Sequence, residues 1–165
     1  MALTLDGTTG VSLVQNGVIT DANLPAGSVL QVVNTLLTTT RGIASATFAD
    51  ITGLSATITP TSASNKILIL VSINGITIEA TVTALKTRIL RDATVLEFID
   101  SSIGYSSLAQ LYAGGVSIGY LDAPATTSAI TYKIQFATNS GNQAYVNNLT
   151  SGGSSSTITL MEVAG

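Results

Sequence analysis

Along most of this chain apolar and polar residues alternate with a period of two, the pattern of a strand with one buried face. In TYKIQFA (131–137), Tyr132, Ile134 and Phe136 fall on one face, and Lys133 and Gln135 on the other. In LKTRILRD (85–92), Lys86 and Arg88 share one face, and Thr87, Ile89 and Arg91 the other, predicting a partly solvated strand. The run KILILVSIN (66–74) is apolar on both faces and predicts a central strand covered on both sides. Further strands are expected near 29–36, 54–59, 94–99, 116–121, 143–148 and 157–163. Asn74-Gly75, between two apolar β-rich segments, predicts a hairpin. Thr59-Pro60-Thr61-Ser62, Asp122-Ala123-Pro124 and Asn139-Ser140-Gly141-Asn142 supply other turns. No stretch keeps a helical period over three turns. The expected fold is all-β, a jelly-roll-like antiparallel β-sandwich with a short extended or hairpin N-terminal arm.

The pattern weakens near the start. Residues 1–24 carry two charges, Asp6 and Asp21, and two turn signals, Asp6-Gly7 and Asn16-Gly17. The segment between the turns, GVSLVQ (10–15), is too short to bury its own apolar face. Pro25-Ala26-Gly27 then reads as a joint. We read residues 1–27 as an anchoring arm and 28–165 as the sandwich domain. In that reading Leu3, Leu5, Val11, Leu13, Val18 and Ile19 make the contact with a partner. The other reading of the same segment is a first hairpin folded onto its own domain.

Composition changes the picture on one point. Apolar residues make up 45% of the chain and charged residues only 9%, with mean hydropathy +0.50 and net charge −3. Ordinary domains carry about a quarter charged residues. A folded monomer of this mass exposes roughly 7,600 Å², which fifteen charges cover thinly. The remainder falls to Ser and Thr, about a quarter of the chain, or to another copy of it. The longest apolar run, Ile67 to Val71, is strand length, far short of the ~20 residues of a membrane span. The opening residues lack the basic and apolar regions of a signal peptide. With no basic stripe, nucleic acid is not an expected partner, nor is a membrane.

Chemistry is scarce. Without His or Cys, the usual nucleophile–base pairs and thiolate metal sites are unavailable. A Ser–Lys pair would have to use Lys66, Lys86 or Lys133, all on predicted strands where a solvated face explains them. Glu79, Glu97 and Asp100 qualify for glycoside hydrolysis by residue type alone. Asp92, Asp100 and Asp122 could hold Ca²⁺, but lone carboxylates in turns usually satisfy backbone groups. Gly114-Gly115 and Gly152-Gly153 lack the strand–helix setting of phosphate loops and read as strand connections. Tyr105, Tyr112 and Tyr120 are candidates for a glycan surface, or for core and interface anchors. No enzyme activity, cofactor or metal is expected.

Residues 46–75, ATFADITGLSATITPTSASNKILILVSING, hold a Phe-x-Asp-φ-Thr-Gly-Leu motif, a Thr-Pro turn and an Asn-Lys-led apolar strand. This text resembles a recurring module of tailed-phage virion proteins. RILRDATVLE (88–97), YLDAPATTSAITYKIQF (120–136), AYVNN (144–148) and STITLMEVAG (156–165) resemble later parts of it. ALTLDGTTGVSLVQNGVIT (2–20) resembles the start of many phage fibre and head-decoration proteins. The resemblance implies a virion surface protein, typically a homotrimer of jelly-roll sandwiches, assembled in the host cytoplasm. It implies corner or core roles for Phe48, Asp50, Gly53 and Leu54. The expected role is a capsid decoration or cement protein whose arms bridge major capsid proteins. The alternative is a tail-fibre or head-fibre tip that binds a host surface glycan.

Overall fold

The computed structural model describes residues 24–106, 111–148 and 153–165. Among these, every regular element is a strand: β1 (Val29–Leu37), β2 (Arg41–Ile43), β3 (Ala49–Ile58), β4 (Lys66–Ile78), β5 (Thr83–Arg91), β6 (Thr94–Ser106), β7 (Leu111–Asp122), β8 (Ile130–Thr138), β9 (Ala144–Val146) and β10 (Ser156–Val163). All pairings are antiparallel. One sheet runs β1-β10-β4 and continues to β7 on the far side of β4, with short β9 and β2 extending it. The other runs β3-β8-β5-β6.

The pairs β1/β10, β3/β8, β4/β7 and β5/β6 are nested, the first strand with the last and so inward to the Asp92-Ala93 turn. They fall alternately in the two sheets. A long antiparallel ribbon rolled up in this way is a jelly roll, and that fold class is what the alternation in the sequence implied.

The core is the set of inward positions. On β4 these are Ile67, Ile69, Val71 and Ile73; on β8, Ile130, Tyr132, Ile134 and Phe136; on β10, Ile158 and Leu160. All are buried in one cluster, in which the β4 and β10 side chains face those of β8 together with Leu54 and Ile58 of β3 and Leu85 and Ile89 of β5. The β-branched content of these strands fits a pleated, packed surface.

Three expectations need correction. Asn74-Gly75 is not a hairpin: β4 runs straight through it, and the register against β7 shifts between Ile73 and Ile76. The dipeptide forms a bulge where β4 passes from the end of β10 to β9. Gly75 has φ +59°, and a Cβ there would lie 2.2 Å from Ser154 Oγ, so glycine is required by both conformation and space. Gly114-Gly115 is likewise not a connection but lies inside β7, opposite that bulge. A Cβ on Gly115 would meet Ile73 O at 2.7 Å, so the close backbone approach explains the residue. Finally, β4 is central, but the described residues cover it on one face only; among them Leu68 is half-buried and Leu70 exposed. The second face of that apolar run opens outward.

Candidate functional site

Two buried carboxylates close one end of the sandwich. They lie in a single inward row, Gln31–Glu162–Ile67–Asp122, across the β1-β10-β4-β7 sheet. Glu162 is fully buried. Its Oε1 accepts from Thr61 N (2.7 Å), Thr61 Oγ1 (2.9 Å) and Asn65 Nδ2 (2.6 Å), and its Oε2 accepts from Gln31 Nε2. The Thr-Pro turn and Asn65 therefore serve one purpose: they wrap the β3–β4 connection around a carboxylate of the last strand. Asn65 Oδ1 also accepts from Gly165 N.

Burial by itself raises the Glu162 pKa, but hydrogen bonds from Asn65, Gln31 and Thr61 outweigh it and the pKa is lowered. A carboxyl with a depressed native pKa stabilises the fold above its unfolded pKa, near 4.5, and that contribution is lost as pH falls through the native value. Glu162→Gln places an amide N–H₂ against the donors of Asn65, Gln31 or Thr61. It should cost about 1–3 kcal/mol at pH 7 and flatten the acid arm of the stability profile. Urea unfolding between pH 3 and pH 7 checks both; an unchanged acid arm would place the effect elsewhere.

The second carboxylate ties the sheets together. Asp122, at the end of β7, accepts from Arg91 Nη1 (2.8 and 3.0 Å) on β5 and from the Tyr132 hydroxyl (2.6 Å) on β8. Burial, then the neighbouring Asp122 charge, pushes the Tyr132 hydroxyl pKa far up, so the phenol stays a donor.

The other residues weighed for chemistry are occupied or scattered. The Asp92 carboxylate accepts from Thr131 N (3.0 Å), holding the β5–β6 turn, in which Asp92 has φ +51°. Lys133 pairs with Asp50 (2.9 Å), and Lys66 is exposed at the start of β4. Glu97 accepts from Phe98 N, while Glu79 is exposed beyond the end of β4. Among the described residues no group of three acidic side chains is placed to hold a metal ion. Tyr105 is 59% exposed, whereas Tyr120 turns inward beside Ile69 and packs on the core. The Tyr112 and Asp100 side chains lie outside the described residues, as do Gly152 and Leu3, Leu5, Val11, Leu13, Val18 and Ile19 of the arm. The described chain enters at the β1/β10 end, where Gly27 N donates to Ala164 O (2.8 Å).

What the fold does expose is two outer faces that differ in charge. The β3-β8-β5-β6 face carries a connected polar chain. Asp50 accepts from Lys133 and from Gln135 (2.7 Å), Gln135 accepts from Arg88 (2.6 and 2.9 Å), and the Arg88 guanidinium lies 4.0 Å from the Phe48 ring centre. Burial works against ionised Asp50, but Gln135 and Lys133 outweigh it and lower its pKa. Phe48 and Asp50 of the Phe-x-Asp motif thus sit on this surface, while Leu54 is core and Gly53, φ +91°, marks a shift in the β3–β8 register.

The β1-β10-β4-β7 face is nearly free of charge. Its rows, read across the sheet, are Val32–Met161–Leu68–Leu121, then Asn34–Thr159–Leu70–Gly119, then Leu36–Thr157–Ser72–Ser117. Val29–Val163–Lys66 forms the margin and holds the face's one charge. Val32 is 56% exposed and Leu121 52%. Sequence reasoning missed this face because no single segment displays it; it exists only once register aligns four distant strands. The available signal was the absence of polar alternation at Leu68 and Leu70.

The fold is shared with VP2 of infectious bursal disease virus. VP2 in its subviral particle superposes with a TM-score of 0.54 at 11% identity, over 100% of this chain and 38% of VP2. Structures of the Gt and Gx strains of that virus superpose at 0.45 and 0.44, each at 12% identity. They cover 99% of this chain and 42% and 45% of theirs. The chain therefore spans less than half the length of each. No protein-family model matches the sequence, and no curated protein matches it.

Proposed function

We propose that this chain is a non-enzymatic structural protein of a virion, a homotrimeric capsid decoration or cement protein whose N-terminal arms bridge major capsid proteins. The observation that supports it most is a full jelly roll with one outer face almost free of charge, in the fold that VP2 uses in a subviral particle. The buried carboxylates both serve the fold, holding a turn and joining the sheets, and neither opens to a substrate. The resemblance to tailed-phage virion modules points to a phage particle and to its surface. An arm on each of three subunits would multiply a weak contact by effective concentration. A glycan-binding fibre tip is the less favoured reading, because Tyr120 packs partly buried against the core and offers a sugar little of its ring.

Two measurements test the proposal. Hundreds of copies per purified virion are expected for shell decoration, whereas a handful would indicate a tail or fibre. Deleting residues 1–27 should leave an assembled sandwich of nearly unchanged melting temperature that no longer binds shells stripped of this protein. Shell binding equal to that of the full chain would remove the anchoring role from the arm.

A further inference from the structure

We propose that the outer face of the β1-β10-β4-β7 sheet is where copies of this chain pack against one another. The inference rests on the self-assembly proposed above and assigns it a surface. Val32 and Leu121, each more than half exposed, end a row filled in by Met161 and Leu68, and Leu70 and Leu36 extend it. A contiguous apolar patch of this kind on a soluble domain marks a contact surface.

Charge selects the partner. In a closed symmetric assembly, residues near the axis meet their own counterparts, so any net charge there repels itself. This face places its one charge, Lys66, at the margin, and neutral side chains everywhere else. A strongly charged partner would find nothing complementary on it. The outer face of the other sheet also exposes Phe98 beside Arg88, but there Asp50, Lys133 and Arg88 carry an ion pair and charge-assisted hydrogen bonds that water tolerates. Small residues complete the fit: Gly119 and Ser117 on edge strand β7 leave low ground beside Leu70 and Ser72, into which a neighbour's apolar side chains can settle.

The chain has no cysteine, so a single introduced thiol reports on a single place. Leu70→Cys lies on the proposed interface, and Thr57→Cys, exposed on β3, on the opposite outer face. Both are treated with a maleimide while sedimentation reports particle mass. In assembled particles the Leu70→Cys thiol should react at least about tenfold more slowly than the Thr57→Cys thiol, as expected in a dry interface. In single chains, obtained by dilution or by adding Leu121→Lys, the two should react alike. Leu121→Lys should itself reduce the mass to one chain with an unchanged β-sheet spectrum, while Thr57→Lys stays assembled.

Equal labelling in assembled particles would overturn this face assignment and leave self-assembly standing. Protection that persists in single chains would also overturn it, placing a segment of the same chain over the face. A wild-type protein of single-chain mass at micromolar concentration would overturn both the face and the self-assembly beneath it.

Discussion

Ile69→Asp is expected to abolish folding. Ile69 is fully buried at the middle of β4, in the inward row between Leu160 and Tyr120. No cation lies in that row to pair with a carboxylate. A buried unpaired carboxylate costs at least several kcal/mol, comparable with the ~5–15 kcal/mol that holds a whole domain together. The strand cannot escape by slipping one residue, since that would send Ile67, Val71 and Ile73 outward as well. The expected result is insoluble protein or a far-ultraviolet spectrum without β-sheet. Leu70→Asp, one residue along and facing outward, should keep the fold. Cooperative unfolding of Ile69→Asp at the wild-type temperature would contradict the assignment of the two faces.

Asp122→Ala should produce the next largest loss. The side chain removed is the common acceptor for Arg91 and the Tyr132 hydroxyl, and it joins the end of β7 to the opposite sheet. Truncation leaves a buried phenol without its partner and a guanidinium without its counter-charge. Breaking a fully buried pair costs about 3–5 kcal/mol. Arg91 keeps 27% of its side chain in water, so about 2–4 kcal/mol is expected here. Tyr132→Phe removes one hydrogen bond and leaves the ion pair, and should cost about 1–1.5 kcal/mol. Denaturant midpoints of the two variants against wild type check the ratio. A cost for Asp122→Ala no greater than that for Tyr132→Phe would mean that Arg91 contributes nothing.

Several motif residues became intelligible only in this framework. Asn65 and Thr61 hold Glu162, which stands about a hundred residues away in sequence. Asn147 of AYVNN, at φ +54°, donates to Leu37 O (2.8 Å) and accepts from Ser156 Oγ (2.7 Å), closing the opposite end of the sandwich. Asparagine tolerates the left-handed conformation better than other side chains and brings its own donor and acceptor. In the linear text these residues look like ordinary turn formers.

Strand identity and fold class were determined by the sequence itself. Period-two alternation in TYKIQFA and LKTRILRD is a local property, set by the pleat that sends successive side chains to opposite faces. Tyr132, Ile134 and Phe136 are accordingly buried, and Lys133 and Gln135 only half so. Tertiary structure alone decided what happens where the local signal has two meanings. Asn-Gly is a hairpin turn when two strands must reverse and a bulge when one strand must change partners, and only the position of β9 and β10 beside β4 distinguishes these. A doubly apolar strand is read as buried on both sides, but which face this chain covers depends on where the second sheet packs. The same register that places Ile67, Ile69 and Ile73 in the core lines Leu68 up with Met161, Val32 and Leu121 on the outside. That alignment joins residues nearly 130 positions apart in the chain, a relation no local pattern encodes.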